Sequence, residues 1–478
     1  MLPGPLVALL GGAVATAVTG RFRRVYPVIA CAAIVVALVL ATGLVPWPFK
    51  PSPLFKEDSL TRLMSTLFCV LALIAAIHSI DYLVENEKSF RYYVLLLTLT
   101  GGMVAVVHAS NLFTLYVAWE LMALSSYALV SYRSGTWEAV EAGFKYLVLS
   151  TIGSLAALLG VTVAYGYSGT LSIESLVGIL TGADKVAQAA ALLAIVGFGV
   201  TAALVPFHTW LPDAHPAAPS PISAMLSGVV IKTAAYSIAL LIFLPFRQAL
   251  PASSLVLLAL GVLTMTVGNL MVPFQRDIKR FLAYSSIANM GYIITGFGVA
   301  ARLLLLGRED LALLGLTGSL FHIVNHALGK GLAFMGAGNM IHEVGTRDLS
   351  KLKGIARRMP VTGLTMSLSL LHLAGVPPLA GFWSKLLIAS AAAALLEDPL
   401  LAAVVVAFVL NWVFAAGYYL WLIQHLTLYA PSAEANEAPI TMVAAVSALA
   451  ALIVALTAFL GPTLLLVKSA SGVFLAGW

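Results

Sequence analysis

The sequence is poor in charge: Asp, Glu, Lys and Arg supply 10% of its 478 residues, while 61% are hydrophobic. A soluble domain carries about 25% charged residues, so this chain cannot cover a water-facing surface. Its mean hydropathy is +0.99. The solvent for most of it is lipid, which excludes soluble enzymes, nucleic-acid binders and disordered scaffolds. Cysteine is scarce too. Cys31 and Cys69 both lie in apolar stretches and are too few for a disulfide framework or an iron–sulfur cluster. No GxGxxG run, P-loop, HExxH or haem-attachment motif occurs, so no cofactor and no metal is expected. Two-residue alternation is nowhere sustained, which rules against an outer-membrane barrel. The net charge of +6 is what basic cytoplasmic loops produce and calls for no nucleic-acid partner.

What is present is a succession of apolar runs. A hydrocarbon core about 30 Å thick needs about 20 apolar residues per helical crossing. That ruler yields fourteen spans, at roughly 5–20, 25–46, 59–80, 92–109, 111–132, 138–167, 186–207, 218–245, 253–273, 280–300, 310–341, 361–391, 400–430 and 440–465. The expected fold is therefore an all-α polytopic membrane protein. Arg21, Arg23 and Arg24 follow the first run, whereas a signal peptide carries its basic residues before it, so that run reads as a retained helix.

Loop charges set the orientation. The connections after odd-numbered spans hold Arg21, Arg23, Arg24, Lys88, Arg91, Arg133, Arg276, Lys279, Arg280 and the basic residues from Arg347 to Arg358. The opposite side holds fewer: Lys50, Lys56, Arg62, Lys185, Arg247, Arg302, Arg308 and Lys468. The excess predicts cytoplasmic odd loops, with both termini outside the cell membrane. Four lysines remain, Lys145, Lys232, Lys330 and Lys385, and all fall inside apolar spans, as does one deep carboxylate, Glu120. A charge at the bilayer centre costs about 2.5–3.5 kcal/mol on insertion scales. Snorkelling or a structural ion pair is the plain explanation, most readily for Lys145. The other is a proton relay, because burial moves lysines and carboxylates alike towards neutrality and so makes them exchangeable at working pH.

Two spans are interrupted, one by Val205-Pro206-Phe207-His208-Thr209-Trp210-Leu211-Pro212, the other by Gly375-Val376-Pro377-Pro378-Leu379-Ala380-Gly381. Proline inside a membrane helix frees backbone groups that lipid cannot satisfy, so such breaks belong in protein or beside water. They fall in the seventh and twelfth spans, five apart. If helices 4–8 and 9–13 are two repeats, each break is in the fourth helix of its repeat, the arrangement of inverted repeats around an ion path. The chain then divides into N-terminal helices (1–90), a first repeat (91–245), a second repeat (253–430) and a C-terminal helix (440–478). His322 and His326 share a helix face with Lys330 one turn on. They fit a polar stripe along a wet channel or a packing role; no carboxylate or cysteine joins them as a metal ligand. His208 and His372 lie at the two breaks and fit the same line, as do Asn325 and Asn411.

These residues carry a pattern. Leu115-Tyr116-Val117-Ala118-Trp119-Glu120-Leu121-Met122 resembles the fifth-helix motif of the antiporter-like subunits of complex I and its relatives. So do Pro206–His215, the run Gln275-Arg276-Asp277-Ile278-Lys279-Arg280, Asn325-His326-Ala327-Leu328-Gly329-Lys330 and Gly381-Phe382-Trp383-Ser384-Lys385. The resemblance extends from about residue 59 to 430 and includes group 4 membrane-bound hydrogenases and Mrp cation/proton antiporters. It implies fourteen helices in two inverted five-helix repeats. It also implies that Glu120, Lys232, Lys330 and Lys385 are the fifth-helix glutamate, the central lysine, the intervening lysine and the lysine ending the second half-channel. One position departs: seven residues before His208, where relatives carry the lysine that pairs with the glutamate, this chain has Thr201. Either Glu120 is neutral and the first half silent, or Lys145 supplies the counter-charge.

The function implied is an ion-translocating subunit, without a redox centre of its own, of a proton-pumping oxidoreductase of the NADH:quinone or membrane-bound hydrogenase type. Its partners would be other membrane subunits, including siblings of this kind, with protons as cargo and sodium left open. The Asp213-Ala214-His215 run favours this over the alternative, an Mrp-type secondary antiporter subunit.

Overall fold

Long apolar runs with few breakers fold as helices because lipid offers their backbone no other partner. The computed structural model describes residues 1–49, 52–83, 89–180 and 184–475. Lys50 and Lys88 of the loop-charge pattern lie outside the described residues. The helices are α1 (Gly4–Val18), α2 (Tyr26–Thr42), α3 (Ser59–Tyr82), α4 (Ser89–His108), α5 (Leu112–Val130) and α6 (Trp137–Ser168). After them come the short α7 (Ile173–Ile179), then α8 (Asp184–Thr201), α9 (Leu211–Ala217) and α10 (Ser220–Phe243). The second half holds α11 (Leu250–Met271), α12 (Ile278–Leu305), α13 (Glu309–Val344), α14 (Pro360–Ala374), α15 (Ala380–Ala393) and α16 (Pro399–Thr427). α17 (Ile440–Ala458) and α18 (Leu460–Gly472) follow. Among the described residues the β pairing is limited to isolated bridges, and eleven helices are long and apolar enough to cross a membrane.

The span expected at 440–465 divides at Phe459, and the seventh ends at Thr201, before Pro206 is reached. Helix ends are chemically marked. Asn111 caps α5, Asp277 caps α12 through the Lys279 and Arg280 amides, and Asp398 caps α16 while binding Arg302 at 2.6 Å. Gly375, at φ 77°, closes α14 in the left-handed conformation that a side chain disfavours. Glycines also set helix spacing. A Cβ on Gly261 or Gly268 would strike the backbone of α12, and one on Gly291 or Gly298 would strike that of α11. These small-residue seams let two membrane helices touch along their backbones.

The centre of the bundle is α10, α12 and α13: the apolar window of α10 is wholly buried and that of α12 nearly so. By contrast, α16 keeps 22% of its window buried and α17 28%. Polar side chains on the three central helices are thus held inside protein rather than lipid.

Candidate functional site

Three of the four lysines read as membrane-embedded are fully buried: Lys232 on α10, Lys330 on α13 and Lys385 on α15. Each meets backbone carbonyls in place of a carboxylate. Lys232 donates to the carbonyl of Ser227, within a π-helical turn, Leu226–Val230, that interrupts α10. Such a turn loosens the regular hydrogen-bond ladder and is characteristic of functional sites. Lys330 donates to the Leu282 carbonyl of α12 at 2.9 Å and to the Ser285 hydroxyl. Lys385 reaches the carbonyls of Leu373 at 2.9 Å and Ala374 at 3.4 Å. Those belong to the last turn of α14, left without helical partners by the break at Gly375, and the helix dipole there favours a cation. Trp412 donates to Ala374 as well, at 2.9 Å. The break at Pro377 and Pro378 therefore does a specific job: it exposes a carbonyl cradle to an ammonium inside the bundle.

A polar line runs from Lys330 to Ser384, on the helix that carries Lys385. Next to Ser285, Asn289 donates to the Ser285 carbonyl at 2.7 Å and to Tyr419 at 3.2 Å, while its side-chain oxygen lies 3.2 Å from His322 Nε2. His322 Nδ1 is 2.9 Å from the Ser384 hydroxyl, beside Lys385 in sequence. That hydroxyl has a second partner, the Gly381 carbonyl at 3.0 Å. It can donate to a neutral ring, or accept from a doubly protonated one while donating to Gly381. His322 is therefore hydrogen-bonded in either protonation state, as a carrier of exchangeable protons needs. His326 stacks 6.0 Å from His322, is buried, and neither of its ring nitrogens has a partner. Near the break, His372 lies 3.1 Å from the Asn325 carbonyl. Asn411 sits off this line, bonded to Asn269 at 2.9 Å. Lys385 also lies 4.9 Å from the ring centre of Tyr292.

The first half is different. Lys145 is not buried: its side chain is 47% exposed and paired with Glu141 at 2.8 Å and Asp213 at 3.2 Å. The cause is packing. α6 turns its small residues Gly153, Ala157 and Gly160 inwards and leaves Phe144, Ile152 and Leu155 on the surface, with Lys145 on that outer side. Its ammonium is thus held by two carboxylates other than Glu120. Glu120 is partly buried on α5, with one carboxylate oxygen enclosed and unpartnered. Thr201 ends α8, buried, with its hydroxyl 3.5 Å from Ser150. At the first break, Pro206 precedes a 3-10 turn carrying the partly buried His208, and Pro212 opens α9.

Two buried groups escaped the sequence reading. Lys279 was counted among loop charges, yet it is 2% exposed and donates to the Ala218 carbonyl at 2.8 Å. His215, inside a recognised motif but assigned no role, is fully buried and stacked 4.4 Å from Phe334.

A helical bundle with three buried ammonium groups held on backbone carbonyls, and with buried histidines and hydroxyls near them, defines a class: a polytopic membrane protein with a charged and polar interior. The chain belongs to the NADH:quinone oxidoreductase/Mrp antiporter transmembrane family, whose pattern matches residues 109–411. It is 35% identical over 345 residues to hydrogenase-4 component B of Escherichia coli (strain K12), covering 71% of this chain and 51% of that one. The chain thus spans about half the length of that relative. It is 31% identical over 396 residues to F(420)H(2) dehydrogenase subunit N of Methanosarcina mazei, covering 80% and 77%. Its fold superimposes on a chain of the membrane-bound sulfane sulfur reductase, an archaeal respiratory membrane complex, with a TM-score of 0.83, 27% identity and coverage of 98% and 97%.

Proposed function

We propose that this chain is the ion-translocating membrane subunit of a multi-subunit redox-driven complex of the NADH:quinone oxidoreductase or membrane-bound hydrogenase type. Protons pass between Lys232 and Lys330, along His326 and His322, and out at Lys385. The observation that carries this is the set of three buried lysines held on backbone carbonyls, Lys232 at a π turn and Lys385 at a helix break, with a histidine satisfied in both protonation states between Lys330 and the helix of Lys385. Redox energy released elsewhere in the complex drives the cycle; lifting one proton against 100 mV takes about 2.3 kcal/mol. The names of the relatives, a hydrogenase component and a dehydrogenase subunit, agree with this reading. The ratio of ions moved to electrons transferred, measured in vesicles carrying Lys232 variants, tests it.

Counting α1, α2 and the α14–α15 pair as crossings brings the eleven long helices to fourteen, with the inverted repeats running from α4 to α10 and from α11 to α16. Sibling antiporter-like subunits would share the complex in the cell membrane. Both termini would face outside. A cysteine at the exposed Ser350 is then expected to react with an impermeant maleimide only after cells are permeabilised. Labelling in intact cells would reverse the orientation.

The first half-channel is proposed to be silent. With threonine at 201 and Lys145 committed to Glu141 and Asp213, Glu120 has no cation paired with it among the described residues. Glu120→Gln should leave transport within about twofold of wild type, the amide being close in shape and keeping an oxygen and a hydrogen-bonding group for the neighbouring Tyr116. Thr201→Lys should raise the ion-to-electron ratio if the missing base alone silences this half. A severe loss in Glu120→Gln would mean that the half is active without a lysine at 201.

A further inference from the structure

We propose that Lys279 and His215 form the intake limb that carries protons from a charged vestibule on the surface to Lys330 and Lys232; this rests on the relay just described.

The vestibule is a cavity of about 260 Å³ bordered by Glu138, Glu141, Asp213, Asp277, Arg280 and Arg347 among others. Its walls are knitted by ion pairs, Arg347 to Glu138 at 2.9 Å and to Asp277 at 3.1 Å, and Arg280 to Asp213 at 3.0 Å. Lys145 lines it as well, paired with Glu141 and Asp213, so the mouth is a wet network of four carboxylates and three cations in which protons can exchange with the water outside. One wall is α9, which presents Asp213 and Pro216 to the cavity. His215, between them in sequence, is fully buried instead.

Its surroundings do not suit a packing histidine. Neither ring nitrogen has a hydrogen-bond partner, although buried polar atoms are almost always paired, with protein or with water. An imidazole so placed calls for water on both nitrogens. On the inner side its ring lies against Phe334, 4.4 Å between centres, and the Lys330 ammonium lies 6.0 Å from the centre of that same ring. On the outer side is Lys279, two residues beyond the cavity-lining Asp277. Its buried ammonium sits 2.8 Å from the carbonyl of Ala218, three residues past His215. Lys279 and His215 are thus buried groups that neighbour both residues of the vestibule wall and the ring beside Lys330. Nothing else in the relay uses either group. A proton passing inwards breaks its bond to Lys279, which takes another from the vestibule water. It travels through water to the unprotonated ring nitrogen of His215, the other nitrogen releases its own proton towards Lys330, and a turn of the ring restores the starting tautomer; no other reactant is needed.

The test uses the complete complex in proteoliposomes. His215→Phe keeps an aromatic ring against Phe334 and deletes both nitrogens; Lys279→Met keeps the stem and deletes the charge. Each is expected to lower the ion-to-electron ratio roughly tenfold or more, with the double variant no worse than the more damaged single one, as members of one path behave. A wild-type ratio in His215→Phe, beside a failed Lys232→Ala, overturns the intake limb and leaves the relay standing. An active Lys232→Ala removes the relay itself and this limb with it. Wild-type complex gives a second reading that needs no variant: deuterium exchange at the imidazole C2 position, followed by mass spectrometry. His215 should exchange several-fold faster than His78, which is equally buried but has one ring nitrogen bonded to Asn339. Exchange no faster than at His78 means a dry ring and overturns the proposal.

Discussion

Lys232→Ala is expected to lower coupled ion transport on the order of 100-fold, the usual scale for removing a positioned proton donor, while electron transfer in the assembled complex continues. The side chain is fully buried and its ammonium rests on the Ser227 carbonyl inside the π turn. Ser227 is tied in turn to Ser286 of α12, hydroxyl to hydroxyl at 2.7 Å, so a change in charge at Lys232 is felt directly by the helix that supplies the Leu282 and Ser285 partners of Lys330. Alanine removes the exchangeable group and breaks that link. Lys232→Arg should not rescue transport, because a guanidinium with a pKa above about 12 holds its proton at any working pH. Arginine nevertheless keeps a donor for the carbonyl, so an inactive Arg variant that assembles normally separates proton release from structural support. Gradient formation at the wild-type rate in Lys232→Ala vesicles would sink the relay.

How much of this was legible in the sequence follows from what hydropathy can and cannot register. A lysine in an apolar run is conspicuous, and Lys232, Lys330 and Lys385 stood out for that reason and are buried. Prolines in a span are equally plain, so both breaks were legible, although α8 ends at Thr201 ahead of its proline. Hydropathy does not say which face of a helix is covered. Lys145 was therefore misjudged, and the corrective signal was available: Glu141 stands one turn before it, the spacing of a surface ion pair on a helix. Lys279 erred the other way. It sits in the run Arg276–Arg280, which reads as a solvated loop, and only the fold of α9 against the start of α12 buries it. The π turn before Lys232 had no signal at all, since Leu226–Val230 reads like any apolar helix.

Lys385→Met should be the second most damaging change, and for two reasons that an arginine variant pulls apart. Methionine leaves the Leu373 carbonyl without its ammonium donor at the end of α14; Ala374 keeps Trp412. A buried carbonyl without a partner costs about 1–3 kcal/mol, so the unfolding temperature of the purified complex should fall. Transport should fall as well, on the order of 100-fold, because the buried amine proposed as the proton exit is gone. In Lys385→Arg the guanidinium can still donate to the last-turn carbonyls and still meets the favourable end of the α14 dipole, so stability should return most of the way to wild type. Transport should stay lost, since the proton is not released. Recovery of both together would make Lys385 a helix cap and nothing more. Recovery of stability alone identifies the broken helix as the place where a structural hydrogen bond and a proton exit use the same amine.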